Sequence, residues 1–487
     1  MGGKRMSDTL NFKDREDGLT AAGRIYGVEV ERALRDHIAL IGNGFYRWLA
    51  GLYTPRKCTC NNFDSEGNRV CLYPRDENGV CKCTGGGFYY CNSARDTEGY
   101  DIDIESTAQA VFFITNTGFI NHLDMDIKKA FPKQMQNDML AFAKSLQNSE
   151  DGYFYHPQWG KDIGVSRLGR DLGWATGLIG DLGDVPFWDT KNGRKGSLGA
   201  PSGVDVSSTA DEAPKSTWVA HLTNLDAFRE YINNFDLATR SYPSGNAVNA
   251  QTGQIKAREK QAILDGELAD TDGDGVADNG YLAAIHERFD KAQNPENGLW
   301  EDSVHYNSVN GLMKICTSYN SFGFRLNYAD RAFDSAIEMI LLDSETPDCK
   351  DKYATGSVDI FNPWISLSTI IANVRKFDGD EAANKLQAKL KEKAADMIRA
   401  TTAKVKKFQK PDGSFGYTWN YPPSKSQGAP VCPPGIIEGD VNGGCIATNG
   451  VWRTMTTTLL GERIPIFDRE CFEDFISIIN EKCGYKY

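Results

Sequence analysis

The sequence contains no run of about 18 apolar residues, which argues against a membrane-spanning helix. Basic residues are outnumbered: 54 Lys and Arg stand against 66 Asp and Glu, and the formal net charge of −12 disfavours nucleic acid as a partner. The first residues, 1–7, lack the apolar stretch of a signal peptide. Few segments alternate between apolar and polar residues, so we do not expect strands to dominate the fold.

Cysteine is not scarce. Six of the 12 cysteines cluster in a segment rich in Asp, Asn and Gly, and they are Cys58, Cys60, Cys71, Cys81, Cys83 and Cys91. Their C-x-C spacings differ from the usual zinc knuckle, so we expect disulfides in a small insertion over 54–95, with a metal site or free thiols as alternatives. Disulfides favour a secreted or periplasmic protein whose signal peptide has been removed, and a cytoplasmic protein is the alternative.

A short sequence motif recurs three times, at 147–154, 293–300 and 409–415. Each copy ends a helix-like stretch with Gln, turns on Asp-Gly or Asn-Gly, and then has an aromatic residue. A turn that recurs after a helix predicts stacked helical hairpins. Loops on a rigid scaffold tend to carry function, so these turns also indicate where a site would lie.

Apolar residues at helical spacing predict an all-α fold. We expect an α/α toroid of paired helices with long loops, and a plain bundle or solenoid is the alternative. Residues 1–20 form an N-terminal tail in this interpretation, and 21–487 form one domain. The stretches 180–217 and 242–255, rich in Gly, Ser and Asn, are expected to be long loops. Helices are expected over 21–52, 127–146, 218–237, 281–292, 303–319, 332–342, 360–374, 381–408, 448–460 and 473–479, and another after Asp103.

The segment 270–281 has the spacing of a calcium loop. Its acidic residues are Asp270, Asp272, Asp274 and Asp278, and Gly275 permits a tight turn. Tyr281 occupies the position of the bidentate Glu of an EF-hand, so the segment is more similar to the calcium repeats of extracellular proteins and dockerins. We expect a structural Ca²⁺ here; the alternative is a solvated loop that caps the following helix.

Two segments after the first two turns collect chemically useful side chains. In the first, Tyr155, His156 and Trp159 precede a helical stretch in which Arg167, Arg170, Asp171 and Trp174 share a face. A guanidinium can bind a carboxylate through two parallel hydrogen bonds while an indole stacks on a sugar ring. The alternative is an internal polar network of Arg170 and Asp171.

In the second segment Ser303 is the expected N-cap, which places His305 and Tyr306 in the first helical turn and Asn310 one turn later. His and Tyr can act as base and acid, and the alternative is that His305 is a satisfied core residue and Tyr306 packs. The segment 241–246 can add Tyr242 or an Asn. The third copy of the motif, at 409–415, is followed only by the aromatic residues Tyr417 and Trp419. We interpret this segment as the wall of a sugar subsite.

This combination of helical pairs, aromatic turns and His, Tyr, Asn and Arg sets resembles the α/α-toroid polysaccharide lyases, including those that cut glucuronan or alginate. The resemblance covers about 21–482. It implies an acidic polysaccharide substrate, β-elimination, and no organic cofactor. It further implies that Tyr306 is base or acid with His305 or His156 as partner, and that Asn310 and Arg170 neutralise the uronate carboxylate. The expected sugar-contacting residues are Arg167, Tyr155, Trp159, Trp174, Trp300 and Trp419.

Three other functions fit parts of the pattern. A glycoside hydrolase needs two carboxylates, which Asp151, Glu301, Asp302 and Asp412 can supply near the turns. A terpene-cyclase-like enzyme requires an Asp-rich acidic motif. The acidic segment 101–105 matches such a motif imperfectly and is better explained as the cap of the helix that follows. A non-catalytic glycan-binding protein would use the same tryptophans without chemistry.

Overall fold

Polar residues that cap the first turn fix the start of many helices. Asp14, Asp103, Asn224, Asp440 and Asp468 each accept a hydrogen bond from a backbone N–H of the turn that follows. The computed structural model describes residue 12 and residues 14–42, 44–58, 63–70, 83–118, 127–203, 218–342 and 356–485.

Helices account for 58% of the structure and strands for 4%, which confirms an all-α protein. The helices of the first half are α1 (Arg15–Tyr26), α2 (Val28–Ile41), α3 (Phe45–Leu52), α4 (Asn92–Asp96), α5 (Ile104–Asn116), α6 (Ile127–Ala130), α7 (Lys133–Ser145), α8 (Val165–Asp181), α9 (Leu225–Asn233) and α10 (Ser241–Asn249). Those of the second half are α11 (Thr252–Leu264), α12 (Tyr281–Ala292), α13 (Tyr306–Phe322), α14 (Ala329–Leu341), α15 (Val358–Asp378), α16 (Asp380–Lys406), α17 (Val441–Cys445), α18 (Val451–Leu460) and α19 (Arg469–Cys483).

Two short antiparallel ladders accompany the helices. Strand β1 (Tyr53–Thr54) pairs with β2 (Gly87–Phe88), and β3 (Lys425–Ser426) pairs with β4 (Ala429–Pro430). The first ladder lies at the base of the cysteine-rich insertion. The second is a hairpin in the long segment between α16 and α17.

Six helical elements contact one another in a closed circuit. Helix α5 packs on α8, α8 on α10, α10 on α13, α13 on α15, and α15 on α18. A short π-helical stretch (Ile446–Gly450) joins α17 to α18, and α17 packs back on α5. Other helices pack outside this circuit: α7 contacts α8, α14 contacts α15, and α16 contacts both α15 and α2. One large hydrophobic core holds the inner and outer helices together.

Most predicted helices are confirmed, and α12 has the predicted bounds. The segment 242–255 was expected to be a loop, and this expectation is wrong because it forms most of α10 and the start of α11. Pro243 lies in the first turn of α10, where a missing N–H removes no helical hydrogen bond. Gly245 lets α10 approach α13 closely: a Cβ there would lie 2.9 Å from Ile315 Cγ1. Helix α1 begins at Arg15, inside the expected tail.

Within the described residues, no helix is both long enough and apolar enough to cross a membrane.

Candidate functional site

The three recurrent turns share one backbone geometry. Gly152, Gly298 and Gly413 have φ of 76°, 71° and 83°, in the left-handed region that favours glycine. The residue before each glycine accepts a hydrogen bond from the N–H two positions later, and these acceptors are Asp151, Asn297 and Asp412. The turns follow α7, α12 and α16, and each leads the chain back towards the start of a helix in the inner circuit. They therefore gather at the rim where those helices begin.

The aromatic residues of the turns are core residues. Phe154, Trp300 and Phe415 are 1%, 3% and 0% exposed. The indole of Trp300 donates to the carbonyl oxygen of Phe289 at 2.8 Å. This burial contradicts the expectation that Trp300 stacks on a sugar.

Residues from the first two turns of the inner helices contact or influence one another. Arg170 of α8 forms an ion pair with Glu105 of α5. Asn310 of α13 donates to Asp359 of α15 at 2.7 Å. Tyr242 of α10 interacts electrostatically with both Arg170 and Asp359. Helix N-termini carry partial positive charge, so their convergence favours an anionic group between them.

Arg167 is a structural residue. Its side chain is 0% exposed and makes ion pairs with Asp171 at 2.9 Å, Asp103 at 3.3 Å and Glu105 at 3.4 Å. This burial contradicts the expectation that Arg167 contacts substrate. An internal polar network was an alternative interpretation of this helix, and the arginine that pairs with Asp171 is Arg167 rather than Arg170. Burial raises the pKa of Asp171 to about 7, although Arg167 opposes the shift.

Arg170 is the accessible arginine of the pair. Its side chain is 21% exposed, and its Nε has no hydrogen-bond partner among the described residues although the atom is buried. Burial alone would raise the pKa of Glu105, but Arg170 and Arg167 together hold it below its ordinary value. Glu105 thus stays ionised and orients Arg170, whose partly exposed guanidinium keeps further N–H donors for a ligand.

Two tyrosines meet beside Arg170. The side chains of Tyr242 and Tyr417 are close enough to influence each other's titration, and both are near Arg170. Burial raises the pKa of Tyr242, and the nearby Arg170 opposes that rise. Burial raises the pKa of Tyr417 well above its usual value, and Tyr242 and Asp359 act in the same direction. Arg170 opposes the rise at both phenols and so lowers the cost of forming a phenolate at either one.

The backbone around Tyr417 is held from two sides. Its N–H donates to Asp440 at 2.6 Å, and its carbonyl accepts from the N–H of Ser357 at 2.8 Å. Gly443 makes this possible, because a Cβ there would lie 1.9 Å from the Tyr417 nitrogen. Asp440 is also the N-cap of α17, so the position of Tyr417 is fixed by the helix start.

Asn310 reaches this site, but its amide is already used. Its Nδ2 donates to Asp359, and its Oδ1 accepts from Asn362 at 3.0 Å. It is 1% exposed. Asn310 therefore holds Asp359 in place rather than offering a free amide to a substrate carboxylate, as the sequence had led us to expect.

Lys314 lies one turn beyond Asn310 and was missed by sequence reasoning. Burial lowers the pKa of Lys314 to about 7; the Arg170 charge acts in the same direction and Glu105 opposes it. Its Nζ lies 3.4 Å from Asn249 Oδ1 on α10. A signal was present in the sequence, since Lys314 follows Asn310 by one helical turn.

His305 and Tyr306 do not form an acid–base pair. His305, not Ser303, is the N-cap of α13: its Nδ1 accepts from the N–H of Ser308, and its Nε2 lies 3.0 Å from Glu301 Oε2. Tyr306 is 2% exposed, and its hydroxyl donates to the carbonyl oxygen of Met339 at 3.3 Å. The alternative interpretation, a satisfied histidine and a packed tyrosine, describes this segment, and proton transfer by Tyr306 is contradicted.

His156 is also structural. It is 2% exposed, its Nε2 lies 2.7 Å from the carbonyl oxygen of Ile102, and its Nδ1 accepts from the N–H of Gln158. Burial lowers the pKa of His156, so the ring is neutral. Trp159 stacks on it at 4.2 Å and faces Arg167 at 4.9 Å. These contacts place His156 and Trp159 inside a structural cluster, against the roles expected for them.

The other predicted sugar contacts remain partly accessible. The hydroxyl of Tyr155 donates to Asp151 at 2.9 Å, and Lys161 lies over its ring. Trp174, one turn after Arg170, is partly buried against the core. Trp419 packs on Phe408 and is likewise partly buried.

The acidic loop brings three of its four carboxylates together. Ligand oxygens of Asp270, Asp272 and Asp274 lie within 4.8 Å of one another. Asp278 instead accepts hydrogen bonds from the N–H and hydroxyl of Thr271. Hard oxygen donors in this arrangement fit Ca²⁺, with Asp278 as a brace of the loop rather than a member of the cluster.

Comparison of the chain with protein-family models, with curated proteins and with solved structures gave no match. The site must therefore be interpreted from its own chemistry.

Proposed function

We propose that this protein is a polysaccharide lyase that cleaves an acidic, uronate-containing polysaccharide by β-elimination. The observation that carries the proposal is that Tyr242 and Tyr417 are electrostatic neighbours of each other and of Arg170, near the starts of the inner helices. On this view the closed circuit of helices is the inner ring of an α/α toroid, and residues 21–487 act as one domain. Tyr242 and Tyr417 take the roles that the sequence had assigned to Tyr306 and the histidines.

The uronate carboxylate would be held by Arg170. Its guanidinium pairs with Glu105 and is 21% exposed, so N–H donors not used by Glu105 would bind the carboxylate. Protonated Lys314 and the helix N-termini add positive charge nearby. Neutralising the carboxylate makes the C5 proton of the uronate more acidic, which is the chemical requirement for elimination.

The tyrosines would then move the proton. Tyr242, at which Arg170 offsets part of the effect of burial on the pKa, removes the C5 proton. The electron pair forms the C4–C5 double bond, the C4–O4 bond breaks, and Tyr417 donates a proton to O4. The proton taken by Tyr242 then returns to Tyr417, directly or through solvent, so the pair regains its starting state.

A glycoside hydrolase remains the second candidate because Asp359 and Glu105 both lie at the same rim. The carboxylates that the sequence offered are otherwise engaged: Glu301 accepts two hydrogen bonds from Ser241, and Asp412 binds Ser414. Glu105 stays ionised between two arginines, which is unsuited to a general acid. These contacts favour elimination over hydrolysis.

Product chemistry tests the proposal. The purified protein is incubated with glucuronan, alginate, pectate and glycosaminoglycans, with and without a chelator, while ultraviolet absorbance is followed. We expect one polymer to give an absorbing unsaturated uronate. New reducing ends without absorbance would establish a hydrolase, and binding without any product would establish a glycan-binding protein.

We also propose that Ca²⁺ binds Asp270, Asp272 and Asp274 as a structural ion, and that the protein functions in a secreted or periplasmic location. The ion would stabilise the loop that precedes α12. No step of the reaction is assigned to it.

A further inference from the structure

Two cysteines that are distant in sequence lie side by side. Cys91 and Cys432 are 0% and 1% exposed and belong to a small apolar cluster separate from the main core. Both are free thiols in this structure, and within the cluster the Cys432 thiol acts on the titration of Cys91. Cys91 belongs to the cysteine-rich segment, whereas Cys432 lies far outside it, so this contact was not foreseen from the sequence.

The contact joins two parts of the protein that border the candidate site. Cys91 lies just before α4, at the end of the insertion, and the carbonyl of Tyr90 accepts from the N–H of Val441 at 2.9 Å. Cys432 ends the segment 417–432, which begins with Tyr417 and includes the β3–β4 hairpin. Within that hairpin, Ser426 lies 3.3 Å from Glu105. A bond between the two sulfurs would therefore fasten the segment that carries Tyr417.

Metal binding is a poorer explanation of this contact. Among the described residues, the one group of three or more His, Cys, Asp or Glu side chains with metal-binding geometry is the cluster in the acidic loop. The hydrogen-bond partners of the thiols among the described residues are the Ser93 hydroxyl at 3.3 Å from Cys91 and the Pro423 carbonyl at 3.5 Å from Cys432. Neither is a ligand that completes a zinc site.

We propose that Cys91 and Cys432 form a structural disulfide that clamps the segment 417–432 against the insertion. Each thiol loses one proton and one electron as the sulfur–sulfur bond forms. A low-molecular-weight disulfide such as oxidised glutathione accepts the two electrons and two protons and leaves as two thiols. This inference does not depend on the proposed lyase activity.

The surroundings indicate a permanent clamp rather than a rapid switch. Both sulfurs are shielded from solvent, and burial together with the adjacent thiol raises the pKa of Cys91. Thiolate is the reacting species in disulfide exchange, so the folded protein should react slowly in either direction. The bond is expected to form while the chain folds in an oxidising environment.

Peptide mapping gives the direct test. The reduced, unfolded full chain is refolded in a glutathione buffer, alkylated and digested with trypsin. We expect the peptides 83–95 and 426–453 to be linked, with fragment ions that place the bond at Cys91 and Cys432. Because these peptides also contain Cys83 and Cys445, the link must persist in Cys83→Ala and Cys445→Ala. Alkylated Cys91 and Cys432 in the refolded wild type, or a different partner for either, would overturn the proposal.

Thermal denaturation gives an independent measurement. The oxidised protein should melt on the order of 5 °C above the protein whose Cys91–Cys432 bond is reduced, because the bond closes a very long loop in a large chain. Cys91→Ala, Cys432→Ala and the double variant should all lose this increment to the same extent, since removal of either sulfur removes the bond. Cys445→Ala, which removes a buried thiol elsewhere, should retain it. Additive losses in the double variant would contradict a shared bond.

Discussion

Asn310 Nδ2 donates to Asp359 Oδ1 at 2.7 Å and thereby joins the start of α13 to the start of α15. The other end of the same amide accepts from Asn362, so a single side chain satisfies two buried polar groups. Asp359 in turn accepts from the backbone N–H of Gly356, next to the residue that binds the carbonyl of Tyr417. The arrangement of the inner helices is thus coupled to the position of the candidate catalytic tyrosine.

Replacing Asn310 with Ala should destabilise the protein by about 1–3 kcal/mol, because it leaves buried polar groups without partners. Chemical denaturation measures the change. Asn307→Ala, at an exposed position of the same helix, is the matched control and should change stability by less than about 0.5 kcal/mol. Equal effects of the two substitutions would mean that the Asn310 contacts contribute little.

Replacing Tyr242 or Tyr417 with Phe should lower kcat by about 10²–10⁴-fold, since each substitution removes a general acid or base. Tyr306→Phe should retain activity, because Tyr306 lies in the core and its hydroxyl donates to the carbonyl oxygen of Met339. Initial rates of ultraviolet absorbance on the active polymer give the comparison, and circular dichroism checks the fold of each variant. Loss of activity in Tyr306→Phe with full activity in the other two would reverse the assignment.

Local sequence signals predicted the helices well and the site only in part. Asp103 and Arg170 were placed on helices that exist, because capping and periodicity act over a few residues. The segment of Tyr242 is rich in Gly, Ser and Asn and therefore predicted a loop, whereas it forms a helix that packs on α13. The pairings of Glu105 with Arg170 and Tyr242 with Tyr417 join residues far apart in the chain, which periodicity cannot reveal.

The recurrent turns give a prediction about stability. Gly298→Ala should cost more than about 2 kcal/mol, because a Cβ there adds a clash to the roughly 1–2 kcal/mol strain of a left-handed residue. That Cβ would lie 2.3 Å from the backbone nitrogen of Ala332. Gly266 has a similar φ of 73° with open space around it, so Gly266→Ala should show the strain alone. Thermal unfolding of both variants separates the two contributions.

Removal of calcium should affect stability and leave the chemistry intact. Adding a chelator to protein purified with Ca²⁺ should lower Tm, because an ion that binds the folded state stabilises it by mass action. The triple variant Asp270→Asn, Asp272→Asn, Asp274→Asn should have the lower Tm from the outset and no response to chelator. Asp278→Asn is the control that should still respond, because its carboxylate lies outside the cluster of three. A wild-type Tm unchanged by chelation would contradict a structural ion.

Lys314 should make both stability and substrate affinity depend on pH. Its pKa is lowered to about 7 in the folded protein, chiefly by burial, against a usual value of 10.5. Between pH 7 and 10.5, Lys314 is protonated in the unfolded chain but has lost its proton in the folded protein. The free energy of unfolding should therefore rise with pH in this window, by up to about 1.4 kcal/mol per pH unit. Below pH 7 both states are protonated and this dependence disappears. Lys314→Met should remove the slope, whereas Lys260→Met at an exposed site should keep it.

The same titration should act on the substrate in the opposite direction. An anionic uronate near Arg170 gains from a charged Lys314, so KM should rise by up to about tenfold per pH unit as the amine loses its proton above pH 7. In Lys314→Met, KM should be higher at pH 6 and nearly constant from pH 6 to 9, while kcat keeps the pH profile set by the tyrosines. If KM of Lys314→Met depends on pH as it does in the wild type, the Lys314 ammonium group does not interact with the substrate carboxylate. Arg170 alone then holds the carboxylate.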